Sequence, residues 1–447
     1  MKQRILFFTV MLASTLPFSA QEPTQWSLKD CIQYALDKNI QLQQDKISLQ
    51  ESEEDVRSAK AALFPSLSFN TGQSIVNRPF QEQSAMVNGT EIIESNNKTT
   101  YNGSYNLSAQ WTVWNGNKRL NNIKQQKTKR DIARLGVSET ENTLQEEITR
   151  LFIQILYANE SVGINKATLE VSEATYERAK ELFHEGSLSK ADLAQLEAQV
   201  SSDQYQLVTA ESALRSYKLQ LKQLLEFDGS QEMKLILPQP DDRQIMALLP
   251  SKEEVYETAL LIRPEIQSSK LNMESAKLSL SSAKAGYMPT ISLSASTSSM
   301  TNNSSQNNWA HQMKYGWNNM IGLNISIPIF DQRQTKTAVR KARLQYHASQ
   351  FTLNDTQKTL YSNIENAYLD ALNAQQQYKA AGSKLKSSRL SFDMVSEQFH
   401  LGMKNTVELL TEKNNLQSAQ QQCIQAKYMA LLNRTLLNFY AGKEIEL

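Results

Sequence analysis

The chain has 447 residues, a net charge of +1 and two cysteines. That length allows two or three ordinary domains or one large elongated one. The near-neutral charge gives no reason to expect nucleic acid or acidic partners, and Cys31 and Cys423 are too few for a disulfide framework.

Residues 1–20 read as a signal peptide, with Lys2 and Arg4 ahead of the apolar run "ILFFTVMLASTLPF" and Ala20 as the cleavage point. The run is short for a membrane span and contains Pro17, and no cysteine comes closely enough after it for lipid attachment. No later stretch offers the roughly 18 apolar residues of a spanning helix, so a membrane role needs another architecture. Residues 28–62 predict one helix capped by Ser27. Pro65 ends it, because proline forces its predecessor to extend and has no N–H to donate. Leu67, Phe69 and Thr71 then alternate with Ser66, Ser68 and Asn70, which predicts a strand over about 66–76. After a polar loop at 77–100, Tyr105, Leu107, Ala109, Trp111 and Val113 alternate with polar residues and predict a second strand over about 104–114. No proline occurs between Pro79 and Pro238, so the chain beyond the second strand reads as long helix. Asn117 to Phe183 alone is 67 residues, about 100 Å at the helical rise. Gly186 marks a tight reversal at about 184–190. Beyond it, Leu193, Val200, Leu207, Leu214 and Leu221 form a run of sevens, a coiled-coil seam. Residues 229–251 read as a linker.

The pattern then repeats. "SAKAALFPSLSF" (Ser58 to Phe69) returns as "SAKAGYMPTISL" (Ser282 to Leu293), and "FHEGSLSKADL" (Phe183 to Leu193) as "FHLGMKNTVEL" (Phe399 to Leu409). One copy occupies 21–228 and the other 252–447, with strands over about 290–298 and 319–329, a polar loop at 299–314 and a second tip at about 400–406. Ile321, Leu323, Ile325, Ile327 and Ile329 form the apolar face of the last strand. The fold class is mainly α with a β-barrel portion. Four strands cannot close a membrane barrel, which needs about eight, and an open sheet leaves its edges unsatisfied in lipid. Three copies give a 12-stranded barrel; four copies would also close.

The signal peptide, the duplication, the proline after each first helix, the strand pairs and the two "F-H-x-G-(x)5-[DE]-L" tips together resemble the TolC-like outer-membrane factor family. The resemblance covers nearly the whole mature chain. It implies a homotrimer whose 12-stranded barrel sits in the outer membrane of a Gram-negative bacterium and continues as an α-helical coiled-coil tunnel through the periplasm. It also implies two partners, a periplasmic adaptor (membrane fusion) protein and an inner-membrane pump, and so the outer-membrane channel of a tripartite efflux or type I secretion system. On that resemblance Glu408 takes the acidic gate position, and Thr411 stands where the family has a second acid. Asp192 is expected to pair with Lys404, and Phe399 replaces an aromatic that usually carries a hydroxyl. Gly186, Ser187, Leu188, Gly402 and Met403 fall in the adaptor-contact grooves. Tyr101, Tyr105, Trp111, Trp114, Tyr315 and Trp317 fit interface belts.

The residues alone offer plainer readings. Asp192 and Glu408 favour the dipole of the helix they begin, the glycines are ordinary C-caps, and His184 and His400 are solvated helix ends. The basic residues after each strand pair, among them Lys118, Arg119, Arg333 and Lys336, oppose the helix dipole. Contact with lipid head groups accounts for them; a solvated charged face is the alternative. No catalytic constellation, metal ligand set or cofactor motif is present. A secreted periplasmic coiled-coil protein without a pore is the competing reading, and it leaves the four alternating strands unexplained.

Overall fold

The computed structural model of the protein describes residues 25–80, 84–88, 91–95, 98–228, 233–303, 305 and 307–446. The expected signal peptide lies outside them. The first copy runs α1 (Leu28–Lys38), α2 (Ile40–Ala61), β1 (Ser66–Asn77), β2 (Ser84–Asn88), β3 (Glu91–Ser95), β4 (Thr99–Trp114), α3 (Lys118–His184) and α4 (Lys190–Leu224). Then come α5 (Asp242–Ile245), α6 (Lys252–Ile262), α7 (Pro264–Lys284), β5 (Thr290–Asn302), α8 (Trp309–Tyr315), β6 (Asn318–Ser326), α9 (Gln334–His400) and α10 (Thr406–Tyr440).

Ser27 and Asp30 form a reciprocal capping box that starts α1. The single helix expected over 28–62 breaks at Asn39. Its backbone is extended, at φ −58° and ψ 127°. Its side chain caps α2 by accepting from Leu42 N at 3.1 Å and donates to Leu224 O at 3.2 Å. The break is therefore a corner held by one buried asparagine. The second copy turns the same corner at Arg263 (φ −69°, ψ 127°), where Pro264 forbids a continuous helix.

One antiparallel sheet has the order β1-β4-β5-β6. Its register puts Phe69 opposite Leu107, Ala109 opposite Ala295 and Leu293 opposite Leu323. Directly opposed residues share a face, so the apolar residues of all four strands lie together. The other face is lined by hydroxyls; Ser68 and Ser108 meet at 3.0 Å. The outer edges of β1 and β6 have no strand partner among the described residues. Three details depart from expectation. The loop at 77–100 contains the β2–β3 hairpin, and the one at 299–314 contains α8 and the end of β5. Alternation in β4 slips at a bulge between Thr112 and Trp114, displacing Val113. β6 stops at Ser326, because Pro328 supplies no ladder donor, so Ile327 and Ile329 lie beyond the strand.

Each copy has a 67-residue helix followed by a 35-residue one. Both long helices come directly after a left-handed residue, Asn117 (φ 66°) or Arg333 (φ 67°). The main core lies part-way along them. Trp26 packs edge-on to Tyr34 and Phe227 at 5.0 and 5.5 Å, beside buried Phe152, Leu156, Leu221 and Tyr428. The segment read as a linker helps build this core. Leu235 pairs with Trp26, while Met233 and Ile245 are buried, so it is a strap rather than a loose connection.

Candidate functional site: the helical tips and the seam above them

Each long hairpin reverses over five residues. Gly186 and Gly402 sit at φ 76° and 74°, the left-handed conformation that glycine adopts without strain. The next amides reach back, Ser187 N to Leu182 O at 2.8 Å and Met403 N to Gln398 O at 2.9 Å. That is the bonding of a glycine helix stop. Ser189 and Asn405 then start the return helices, each accepting from an amide three residues on.

These caps settle the local partners of the acidic tip residues. Glu408 completes a capping box, its carboxylate accepting from Asn405 N at 3.2 Å. It also accepts from Lys404 one helical turn back. Those two bonds hold its carboxyl below the ordinary value, the Lys404 bond first. Asp192 accepts from Ser189 Oγ at 2.6 Å. Within the protomer Asp192 and Lys404 each have a partner on their own tip, Ser189 and Glu408. Thr411 turns back to Val407 O at 2.7 Å. Phe399 is half-buried, 6.1 Å from the His400 ring. Around the reversals, Gly186, Ser187, Gly402 and Met403 are exposed and Leu188 is half-buried. Leu401, Met403 and Val407 stand 66, 70 and 57% exposed, an apolar cap on the second tip.

Sequence reasoning missed the seam just above. Asp203 of α4 is buried and faces Lys413 of α10, which donates to it and to Ser172 of α3. Ser172 in turn donates to Asp203 at 2.5 Å, as Gln199 does at 3.0 Å. Burial pushes the Lys413 ammonium down from its ordinary value, and Asp203 opposes that shift. One turn along α10, Gln417 donates to Gln206 at 2.7 Å and Asn165 at 3.2 Å. Beyond it, Gln421 accepts from Ser161 at 3.0 Å, and Tyr428 donates to Glu160 at 2.7 Å. A polar stripe on α10 thus binds the second hairpin to the first. Its signal in the sequence is Asp203, a carboxylate three residues after Val200 in an otherwise apolar heptad seam.

The basic cluster also divides. Arg119 donates to Ala62 O at 2.9 Å, Val113 O at 3.3 Å and Thr112 O. It closes the carbonyl ends of α2 and β4, because α2 stops beside that strand with its last carbonyls unpaired. Lys118, Arg333 and Lys336 are exposed. Among the described residues no group of three His, Cys, Asp or Glu is placed to hold a metal, and no helix is long and apolar enough to cross a membrane.

The sequence profile of the outer membrane efflux protein family matches residues 31–226 and again 255–443, one match for each copy. The chain belongs to the outer membrane efflux protein family. The family's members are outer-membrane channels, and that is where this chain resides, its helices extending into the periplasm. It is similar to the outer membrane efflux protein BepC of Brucella suis biovar 1, 22% identical over 95% of this chain and 88% of that one. Similarity to the outer membrane protein TolC of Escherichia coli is 24%, over 66% of this chain and 60% of that one. For the alkaline protease secretion protein AprF of Pseudomonas aeruginosa it is 21%, over 64% and 59%. The chain thus spans under two thirds of the length of TolC and AprF. Among solved structures, CusC superposes with a TM-score of 0.79 at 18% identity, covering 93% of this chain and 92% of that one. The Campylobacter jejuni CmeC outer membrane channel gives 0.75 at 18% identity, over 94% and 87%. The fold is that of these channels, a barrel portion continued by a helical tunnel.

Proposed function

We propose that the protein is the passive outer-membrane duct of a tripartite efflux or type I secretion machine, working as a homotrimer. The observation that carries this reading is the sheet. Among the described residues it has one apolar face, one hydroxyl-lined face and two edges without a strand partner, and short connections after β4 and β6 lead into two 67-residue helices. Open edges are not tolerated in lipid, so copies must join edge to edge. Three supply 12 strands, with apolar side chains toward lipid and serine and asparagine toward the lumen. A rod without a pore has no use for such a sheet.

The exposed tips, with Gly186, Ser187, Leu188, Gly402 and Met403, are the surface for a periplasmic adaptor, beyond which an inner-membrane pump supplies the cargo. The gate is a ring of Lys404–Glu408 pairs rather than of free carboxylates, with Thr411 adding no charge, Asp192 held on the first tip and Phe399 behind it. Lys118, Arg333 and Lys336 face the inner-leaflet head groups. The test is single-channel conductance in planar bilayers, wild type beside Lys404→Ala. A small wild-type conductance, becoming more cation-selective once Glu408 loses its partner, supports the duct and its gate. Folded protein that never conducts overturns the duct; conductance whose selectivity ignores the substitution overturns the gate.

A further inference from the structure

β5 leaves the sheet at the end away from the tunnel, and the chain returns as β6 after α8. The helix α8 does not project into solvent. Ser299 of β5 is buried beneath it and donates to Met313 O at 3.2 Å. Gln312 clamps it to the strand end, donating to Asn302 O at 2.9 Å and accepting from Asn302 N at 2.7 Å. Trp309 sits edge-on to Tyr105 at 6.2 Å and donates to its hydroxyl at 3.3 Å. Gly316 seals the end of the helix, where a Cβ would stand 2.6 Å from Gln312 O.

The side on which α8 lies is fixed by register. Ser299 is opposite Tyr105, and two residues further along each strand the same face continues as Leu107, Ala109 and Trp111, with Ala295 and Leu293 opposite the last two. This is the apolar face, the one turned to lipid. From Thr290 to Ser299 is the roughly 9–11 residues that a tilted strand needs to cross a bilayer. The helix therefore lies flat on the outside of the barrel at the level of the outer leaflet's head groups. Its outward side is aromatic and cationic. Tyr315, and Trp317 just beyond the helix end, are 69 and 60% exposed. The His311 ring lies 4.2 Å from that of Tyr315, and Lys314 Nζ is 5.4 Å from the same ring. No Asp or Glu occurs anywhere from Thr290 to Phe330.

We propose that α8 is an outer-leaflet anchor, with Tyr315 and Trp317 seated at the acyl boundary and Lys314 and His311 binding the phosphate of a phosphorylated glycolipid head group. Exposed aromatic rings favour the membrane–water boundary, where one side is apolar and the other wet. Among the described residues no carboxylate pairs with Lys314, and such a lysine binds phosphate as a point charge. The surface continues the lipid-facing side of the barrel, which is why lipid rather than a soluble protein is its occupant.

The test uses the full-length trimer in vesicles of phospholipid alone and in vesicles containing lipopolysaccharide, reading the temperature at which the trimer dissociates on gels. Lys314→Glu/Trp317→Ala spares Trp309 and Gln312, which seat the helix. Lipopolysaccharide should raise the wild-type dissociation temperature, the double variant should lose most of that rise, and Lys314→Arg should keep it. In phospholipid alone all three should dissociate together, with equal conductance, so this inference can fail while the duct stands. An equal rise in wild type and double variant would overturn it. So would an equal loss of stability in both kinds of vesicle, which would make α8 a contact with the neighbouring protomer.

Discussion

Asp203 and Lys413 are both buried between helices, and their energetics are those of a pair rather than of two residues. Leaving one buried charge without its partner costs about 3–5 kcal/mol, whereas replacing both by apolar groups of similar size is near neutral. Asp203→Asn or Lys413→Met alone should therefore lower the unfolding midpoint markedly, and Asp203→Leu with Lys413→Met should recover most of the loss in a denaturant titration. Equal damage from single and double variants would mean that the hydrogen bonds of Ser172 and Gln199, not the charges, hold the seam. Glu408 behaves differently because it is solvated. Its carboxyl is held below the ordinary glutamate value in the folded tip, first by Lys404 and then by Asn405 N. A lowered acid contributes stability that is fully present above the ordinary value and lost as pH falls through the lower folded one. Amide protection over the first turn of α10 should hold at neutral pH and fall as acid protonates the Glu408 carboxylate; Glu408→Gln should flatten that dependence.

At the scale of elements, the sheet is where a single substitution separates the two faces. Leu323 is 65% exposed on the apolar face. A lysine on the lipid side near mid-bilayer costs about 2–4 kcal/mol. Leu323→Lys should cut the yield of membrane-inserted protein, while Ser296→Lys, on the hydroxyl-lined face, should leave it intact and change only conductance. These faces were legible in the sequence because period two is a strong local signal, and the tips because the same F-H-x-G string recurs in both copies. Other features were not. Asn39 interrupts a run of good helix formers that looks continuous until its amide is seen to reach Leu224. The helix α8 hides in a stretch of polar residues whose only clue is the spacing of Trp309, Gln312 and Met313. The pair of Lys404 with Glu408 also went unread, although the two lie four residues apart. The Lys413 stripe depends on which side of α3 meets α10, a fact of tertiary packing that no local window contains.

Taken whole, one protomer is an incomplete object. Its helices close on each other through the Trp26 core and the polar seam, but among the described residues its sheet ends in two edges without a strand partner. Sedimentation or light scattering of the detergent-solubilised protein should give a mass of three chains, and four would replace the 12-stranded barrel with one of sixteen. The same incompleteness sets an order of events in time. The hairpins of α3 with α4 and α9 with α10 join neighbours in sequence, so they can form quickly and alone. The sheet must bring β4 beside β5, almost 200 residues apart, and its last bonds exist only between chains. The helical part should therefore form in an isolated chain, while the barrel waits for an encounter whose rate depends on concentration. A cell that makes this protein slowly would hold for longer a half-folded species with an exposed β-edge, the form most prone to pair with the wrong strand.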